Sequence, residues 1–365
     1  MAGRISSAAT IAISDTKNTS SPTLRRSVSG SGDPSVMART LARPEPRRRL
    51  TWPAEAPAVG LHLGVANGLL RPARRSRQIG AQALQIFSDN PTAWRRRPDP
   101  PADAAEFVAY CARVGIRTIS IHASYLINLA GSAEPSASQS RAGLTYELRR
   151  APDYGATLVN THIGSHRGTG ADAGLRRIAD NVRAALEESP PSVRLVLENS
   201  VGGGDLLGSR IEELAAILDA VGPVAGADRL AFCLDTAHLW GAGYDLTTGE
   251  GAAAVVGRFD ALLGLERLPL VHLNDSRSSL GSRTDRHEHV GAGLIGPVGL
   301  GAFLRDPRLT DAAFIMETPG ADEGWDAVNM RRAWLLWGGA SELPALPPKA
   351  FRTSRRSTRM ARRPD

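Results

Sequence analysis

Residues 268–293 read LPLVHLNDSRSSLGSRTDRHEHVGAG. An apolar run carries His272 at its tip, a loop rich in Asn, Asp, Ser and Gly follows, and about a dozen residues further on come Asp285, Arg286 and His287. That is a strand followed by a functional loop. A carboxylate and an imidazole at i and i+2 can share one divalent cation where the backbone bends, and a histidine at the strand tip serves the same cavity. One such junction has an ordinary alternative, a solvated surface turn. Its recurrence along the chain decides between them.

Working outward from this stretch, short apolar runs ending in a polar residue recur: VGLHL to His62, AQALQIF before Ser88, TISIH to His122, TLVNTH to His162, VRLVLE to Glu198, LAFCLD to Asp235, PLVHL to His272 and AFIME to Glu317. Helical periodicity fills residues 101–114, 139–152, 172–189, 209–221, 250–264 and 298–305, with a closing helix at 323–337. Continuous apolar strands alternating with helices predict a parallel sheet covered by helices, and eight such units close an α/β TIM (β/α)8 barrel. Active sites of that fold sit at the C-terminal strand ends. The last polar residue of each run is therefore where chemistry is expected.

The chain has 365 residues, a length that accommodates one such barrel with extensions. Its charge of +7 is unevenly placed. Residues 1–54 hold nine Lys/Arg against three Asp/Glu and residues 343–365 hold seven against one, so each tail carries +6 and residues 55–342 carry −5. Both tails lack a folding pattern and are expected to be disordered. They are either solubilising or a weak, salt-sensitive attraction for nucleic acid. Translation from Met1 or from Met37 is equally compatible with residues 1–54. Two cysteines far apart exclude a disulfide scaffold and fit a reducing, cytoplasmic setting, and no apolar run approaches a membrane span.

His122, His162, Glu198, Asp235, His272 and Glu317 at strand ends, with His238, Asp285 and His287 from the following loops, form a metal-ligand set containing five of the eight histidines. A lone strand-end histidine is more often a packed core residue. Nine convergent donors exceed what one ion uses, so two or three ions are expected; histidine with carboxylate and no Cys suits zinc, with manganese or iron possible. Three divalent ions outweigh the four carboxylates, which predicts an anionic substrate, best a phosphodiester.

ASYLINL after His122, THIGSH at 161–166, LENS at 197–200, CLDTAHLWGAGYD at 233–245, HLND…GSRTDRHEHVG at 272–291 and METPG at 316–320 resemble the endonuclease IV family of apurinic/apyrimidinic endonucleases over about residues 59–340. The resemblance implies a monomeric repair enzyme, cytoplasmic and nucleoid-associated if prokaryotic, that incises duplex DNA 5′ to abasic sites, using three zinc ions and a metal-activated water. It implies His122, His162 and Glu198 for one ion. Glu198 would bridge to a second held by Asp235, His272 and Glu317, and His238, Asp285 and His287 would hold the third. Glu198, Asp285 and His287 are then the residues nearest the chemistry. Tyr125 and Leu126 would enter the DNA, and Arg286, Trp94 and Arg95 would contact it. The chain departs from the family pattern at Gly64, Asn67, Asp89 and Thr92, which bears on DNA grip.

Among the remaining candidates, His62, His166 and His289 are ligand-orienting or structural, and glycines 202–204 lack the Lys of a phosphate loop. Two alternatives stay open: a single-metal sugar isomerase or epimerase on the same barrel, and a catalytically weak relative that binds damaged DNA.

Overall fold

The structure, a computed structural model, describes residues 50–351. The remainder of both tails lies outside the described residues. Eight parallel strands close a barrel: β1 (Ala58–His62), β2 (Ala83–Ile86), β3 (Thr118–His122), β4 (Leu158–His162), β5 (Arg194–Glu198), β6 (Leu230–Asp235), β7 (Leu270–His272) and β10 (Ala313–Met316), with β1 pairing both β2 and β10. The short pair β8 (Asp275–Ser276) and β9 (His287–Glu288) forms an antiparallel ladder in the loop after β7. Helices α1 (Leu70–Ile79), α2 (Ala104–Val114), α3 (Ser136–Arg150), α4 (Ala171–Glu187), α5 (Ile211–Val221), α6 (Thr236–Ala242), α7 (Gly249–Leu263), α8 (Gly296–Arg305) and α9 (Trp325–Trp337) complete the described elements.

Period-two alternation sorts each strand. Leu61, Leu84, Ile121, Val159, Leu197, Phe232, Val271 and Phe314 point outward to the helices in one large apolar cluster. Ala58, Ala83, Leu158, Val196, Ala231, Cys233, Leu270 and Ala313 fill the closed end of the barrel interior. Gly60 belongs to that interior, and a Cβ there would fall 1.7 Å from the carbonyl oxygen of Ala83. Only glycine lets β1 and β2 approach so closely.

Two helices have weak sequence signals. The helix α1, LRPARRSRQI, buries only Pro72, Ala73, Ser76 and Ile79, a stripe too small to register as apolar periodicity. The two-turn α6 follows its strand with no intervening loop.

Packing also extends past residues 55–342 at both ends. Trp52 is buried with its indole N–H donated to Gly80 O, and Pro348–Phe351 forms a 3-10 turn with Ala350 buried. These short segments gain order from the barrel surface they cover, a tertiary effect that composition does not register.

Candidate metal centre

The same alternation that fills the closed end with apolar side chains brings His122, His162, Glu198, Asp235 and His272, each the last residue of its strand, into the open mouth, where Glu317 joins them just after β10. Donor atoms of His122, His162 and Glu198 lie within 4.8 Å of one another, as do those of Glu198, Asp235, His272 and Glu317, and those of Asp235, His238 and His287. Asp285 is half-exposed, with one carboxylate oxygen 3.1 Å from His287 Nε2 and the other 3.3 Å from His238 Nε2. All nine sequence-derived donors therefore converge. Glu198 and Asp235 each belong to two groups.

Hydrogen bonds decide which ring nitrogen faces the cavity. His122 Nδ1 donates to Ala123 O at 2.7 Å, His238 Nδ1 to Asn199 O at 2.9 Å and His287 Nδ1 to Glu317 O at 3.2 Å. A carbonyl only accepts, so each Nδ1 carries the proton and the neutral ring turns a bare Nε2 inward. His272 is reversed: Nε2 donates to Gln85 Oε1 at 3.2 Å, leaving Nδ1 3.3 Å from both Glu198 Oε1 and Glu317 Oε2. Lone pairs thus face carboxylate oxygens across 3.1–3.7 Å throughout the mouth. That arrangement suits a cation between them. Ligands at zinc distances in a tetrahedron sit about 3.4 Å apart, so the donor set fits divalent ions.

Without metal, protons fill that role. Burial opposes charge on every group here, yet the neighbouring imidazoles hold Glu198, Asp235, Asp285 and Glu317 below the usual carboxylate range. Against the same burial, Asp235 and Asp285 push His238 up to about 10, carboxylates raise His122 and His287, and Cys233 together with Glu317 and Glu198 raises His272. Burial lowers His162 and His62.

The loop-borne donors are positioned by local chemistry. Asp235 Oδ1 accepts from the backbone N–H of Ala237 and His238, capping α6 and turning His238 into the mouth one helical turn on. The loop after β7 is stitched to α6 by Arg283 N to Gly241 O, Gly281 N to Trp240 O and Trp240 Nε1 to Ser278 O. Its ends are tied by buried Asp275, which accepts from Ser276, Gly293, Ile295 and Gly296 N–H. Asp285 and His287 are consequently held opposite His238.

Supporting residues that sequence reasoning missed lie one layer down. Gln85 donates to Glu317 Oε1 at 2.9 Å, Asn160 to Glu198 Oε2 at 2.6 Å and Asn274 to Asp235 Oδ2 at 2.7 Å. The signal for Asn160 was available, since it precedes the ligand His162 by two and so faces the same way. His62 holds Glu317 Oε1 at 2.8 Å. His289 is structural, bonded to Asn329 and to Ala350 O, and His166 lies 3.8 Å from Asp205.

On the rim, Tyr125 is exposed, its ring 5.6 Å from His122 and 6.0 Å from His162, while Leu126 is half-buried and Ile127 buried beneath it. Arg286 and Arg95 are exposed and make no side-chain hydrogen bond or ion pair among the described residues. Trp94 packs half-buried beside Gly143 of α3 and anchors its loop. Asp89 closes that loop by accepting from Asn90 N and Arg97 N.

A closed parallel barrel with histidine-carboxylate clusters at its C-terminal mouth defines a metal-dependent TIM-barrel enzyme. A family model described as a xylose isomerase-like TIM barrel matches residues 73–335. The chain is 37% identical over 286 residues to the probable endonuclease 4 of Chloroflexus aurantiacus, covering 78% of this chain and 99% of that protein. It is 40% identical over 293 residues to the protein of that name from Halorhodospira halophila, covering 80% and 97%. The crystal structure of endonuclease IV from Thermus thermophilus superposes with a TM-score of 0.68 at 37% identity, over 78% of this chain and all of that one. A D-tagatose 3-epimerase-like protein, 16% identical with a TM-score of 0.58, shares the fold alone over 77% of this chain and 97% of its own. This chain belongs to the endonuclease IV family.

Proposed function

We propose that this enzyme hydrolyses the phosphodiester bond 5′ to abasic sites in duplex DNA, leaving 3′-hydroxyl and 5′-deoxyribose phosphate ends. The observation that carries this reading is the presence of the loop donors His238, Asp285 and His287 beside the strand-end donors. A sugar isomerase or epimerase that works with one ion has no use for them. A binding-only relative would not need a complete donor set.

Three zinc ions fit. His122, His162 and Glu198 would hold the first, Glu198, Asp235, His272 and Glu317 the second, and His238, Asp285 and His287 the third, with manganese or iron an alternative at one position. Bound there, such ions supply the Lewis-acid charge that activates water and neutralises charge developing on a phosphodiester. The protein's own groups do the rest. Tyr125 and Leu126 occupy the rim where a missing base leaves the least stacking to disrupt. Arg286, between two ligands, contacts the substrate phosphate; Arg95 grips the backbone from a loop that Trp94 anchors. The enzyme works as a monomer in the cytoplasm. No helix among the described residues is long and apolar enough to cross a membrane.

The test is incision of a duplex with one abasic site before and after chelation and then with zinc restored. One cut 5′ to the lesion, lost with chelator and recovered with zinc, is expected. No cut by fully loaded protein, or turnover of a free keto-sugar, overturns the reading.

A further inference from the structure

A cleft of about 1010 Å³ lies outside the barrel mouth, between α3 and α4 and bordered by the loops that follow β2 and β3. Six arginines line it, on a barrel whose residues 55–342 carry −5 overall. Four of them face a carboxylate: Arg96 Nε is 3.8 Å from Glu147, Arg97 Nη2 3.5 Å from Asp89, Arg149 Nη2 2.9 Å from Glu188 and Arg150 Nη1 3.0 Å from Asp153. The other acids on the cleft walls are engaged too, Asp180 with Arg183 and Glu134 with the hydroxyl of Ser138. Arg141 and Arg177 alone among the six have no ion pair among the described residues.

Uncharged groups fix both of these arginines. Asn181 is buried, and its Oδ1 accepts from Arg141 Nε at 2.8 Å while its Nδ2 donates to Leu129 O at 2.9 Å. One turn earlier on α4, Arg177 donates from Nε to Ala130 O at 2.7 Å and from Nη2 to Thr169 Oγ1. Both Nη groups of Arg141 and Nη1 of Arg177 stay free of hydrogen bonds among the described residues, and both side chains line the cleft. Two anchored guanidinium groups whose charge is not neutralised match the oxygens of a phosphate.

The loop after β3 ties this cleft to the metal centre. Tyr125 stands at the mouth, Leu129 and Ala130 are clamped by Asn181 and Arg177, and Gly131 is on the cleft wall. Six residues of chain span at most about 21 Å, roughly six phosphates along one DNA strand.

We propose that Arg141 and Arg177 form a second phosphate site, which grips the backbone of one strand within about six nucleotides of the lesion and draws the duplex down over the loop that carries Tyr125 and Leu126. The inference rests on the DNA substrate proposed above.

The experiment uses the zinc-loaded full chain carrying Asp285→Ala, so that a duplex with one abasic site is bound without being cut, and compares it with the same chain carrying Arg141→Gln and Arg177→Gln. Arg141 is exposed and its side chain bonds only to Asn181, so Arg141→Gln alone serves where melting curves show the pair of changes to unfold the protein. Binding should weaken about 10-fold, the worth of a charge-assisted contact, and the slope of log K against log salt should shrink by about 0.9 for the one phosphate released. An uncharged methylphosphonate linkage is then placed singly at each position on either side of the lesion. One position should weaken binding by the parent chain and have no effect on the arginine variant. Equal effects at every position in both chains overturn the proposal, because the arginines then only brace the loop. Calorimetric binding of inorganic phosphate that needs both arginines, with no position distinguished, also overturns it in favour of a site for free phosphate. A distinguished position together with no incision by the chain that retains Asp285 sinks the incision reading and leaves this site standing.

Discussion

His272 and Gln85 face each other across the barrel interior, with Nε2 of the ring 3.2 Å from the side-chain carbonyl of Gln85. The amide is oriented by its other end, which donates to Glu317. One uncharged residue therefore sets both the tautomer of a ligand and the position of a carboxylate that meets it.

Gln85→Leu should remove that control while keeping the barrel filled. Loss of an outer partner of this kind lowers metal affinity about 10- to 100-fold. Zinc titration of the variant against a competing chelator measures it. Wild-type affinity for every ion would show that Gln85 only fills space.

Asp285→Ala removes a half-exposed carboxylate from a loop tied at both ends by Asp275. The fold should be unaffected, and turnover should fall on the order of 10²- to 10³-fold, while abasic-duplex binding changes little. Single-turnover rates and filter binding separate the two. Equal loss of both would contradict the role assigned to Asp285.

Zinc loading should expel protons at pH 7.5. In the metal-free protein His238 is raised to about 10, and His122, His272 and His287 are raised as well, so protons occupy the gaps that ions would take. Calorimetry in buffers of different ionisation enthalpy should report net proton release, shrinking as pH rises. A buffer-independent enthalpy would argue against this picture.

Glu147 gives a pH dependence of stability away from the centre. It is buried in α3, accepts from Ser88 Oγ, and lies 3.8 Å from Arg96 Nε; burial raises its pKa from 4.5 to about 7. A carboxyl raised in the folded state contributes stability present below about 4.5 and lost as pH climbs through 7. The loss amounts to about 3 kcal/mol. Glu147→Gln should match wild type near pH 4.5 and be more stable at pH 8. Parallel melting curves at both pH values would refute the assignment.

Much of this molecule is legible one-dimensionally because a TIM barrel repeats a local pattern. Each apolar run ending at His122, His162, Glu198, Asp235 or His272 is a strand whose end marks the mouth, and inward alternation follows from the two-residue period. The supporting residues were harder to read. Gln85, Asn160 and Asn274 are polar residues of ordinary type, significant only because other strands bring carboxylates to them. The helix α1 was hidden for a related reason, its apolar stripe being completed by neighbours.

The sequence by itself determined the barrel, the nine candidate metal donors and the segregation of positive charge into the tails, since these depend on residue type and short-range period. Only the tertiary structure decided which imidazole nitrogen faces the cavity, that Asp235 both caps α6 and meets His287, and that His289, just after the ligand loop, holds the carbonyl of Ala350. Those relationships join residues tens to hundreds of positions apart. Closure of the barrel creates them, and no local pattern encodes them.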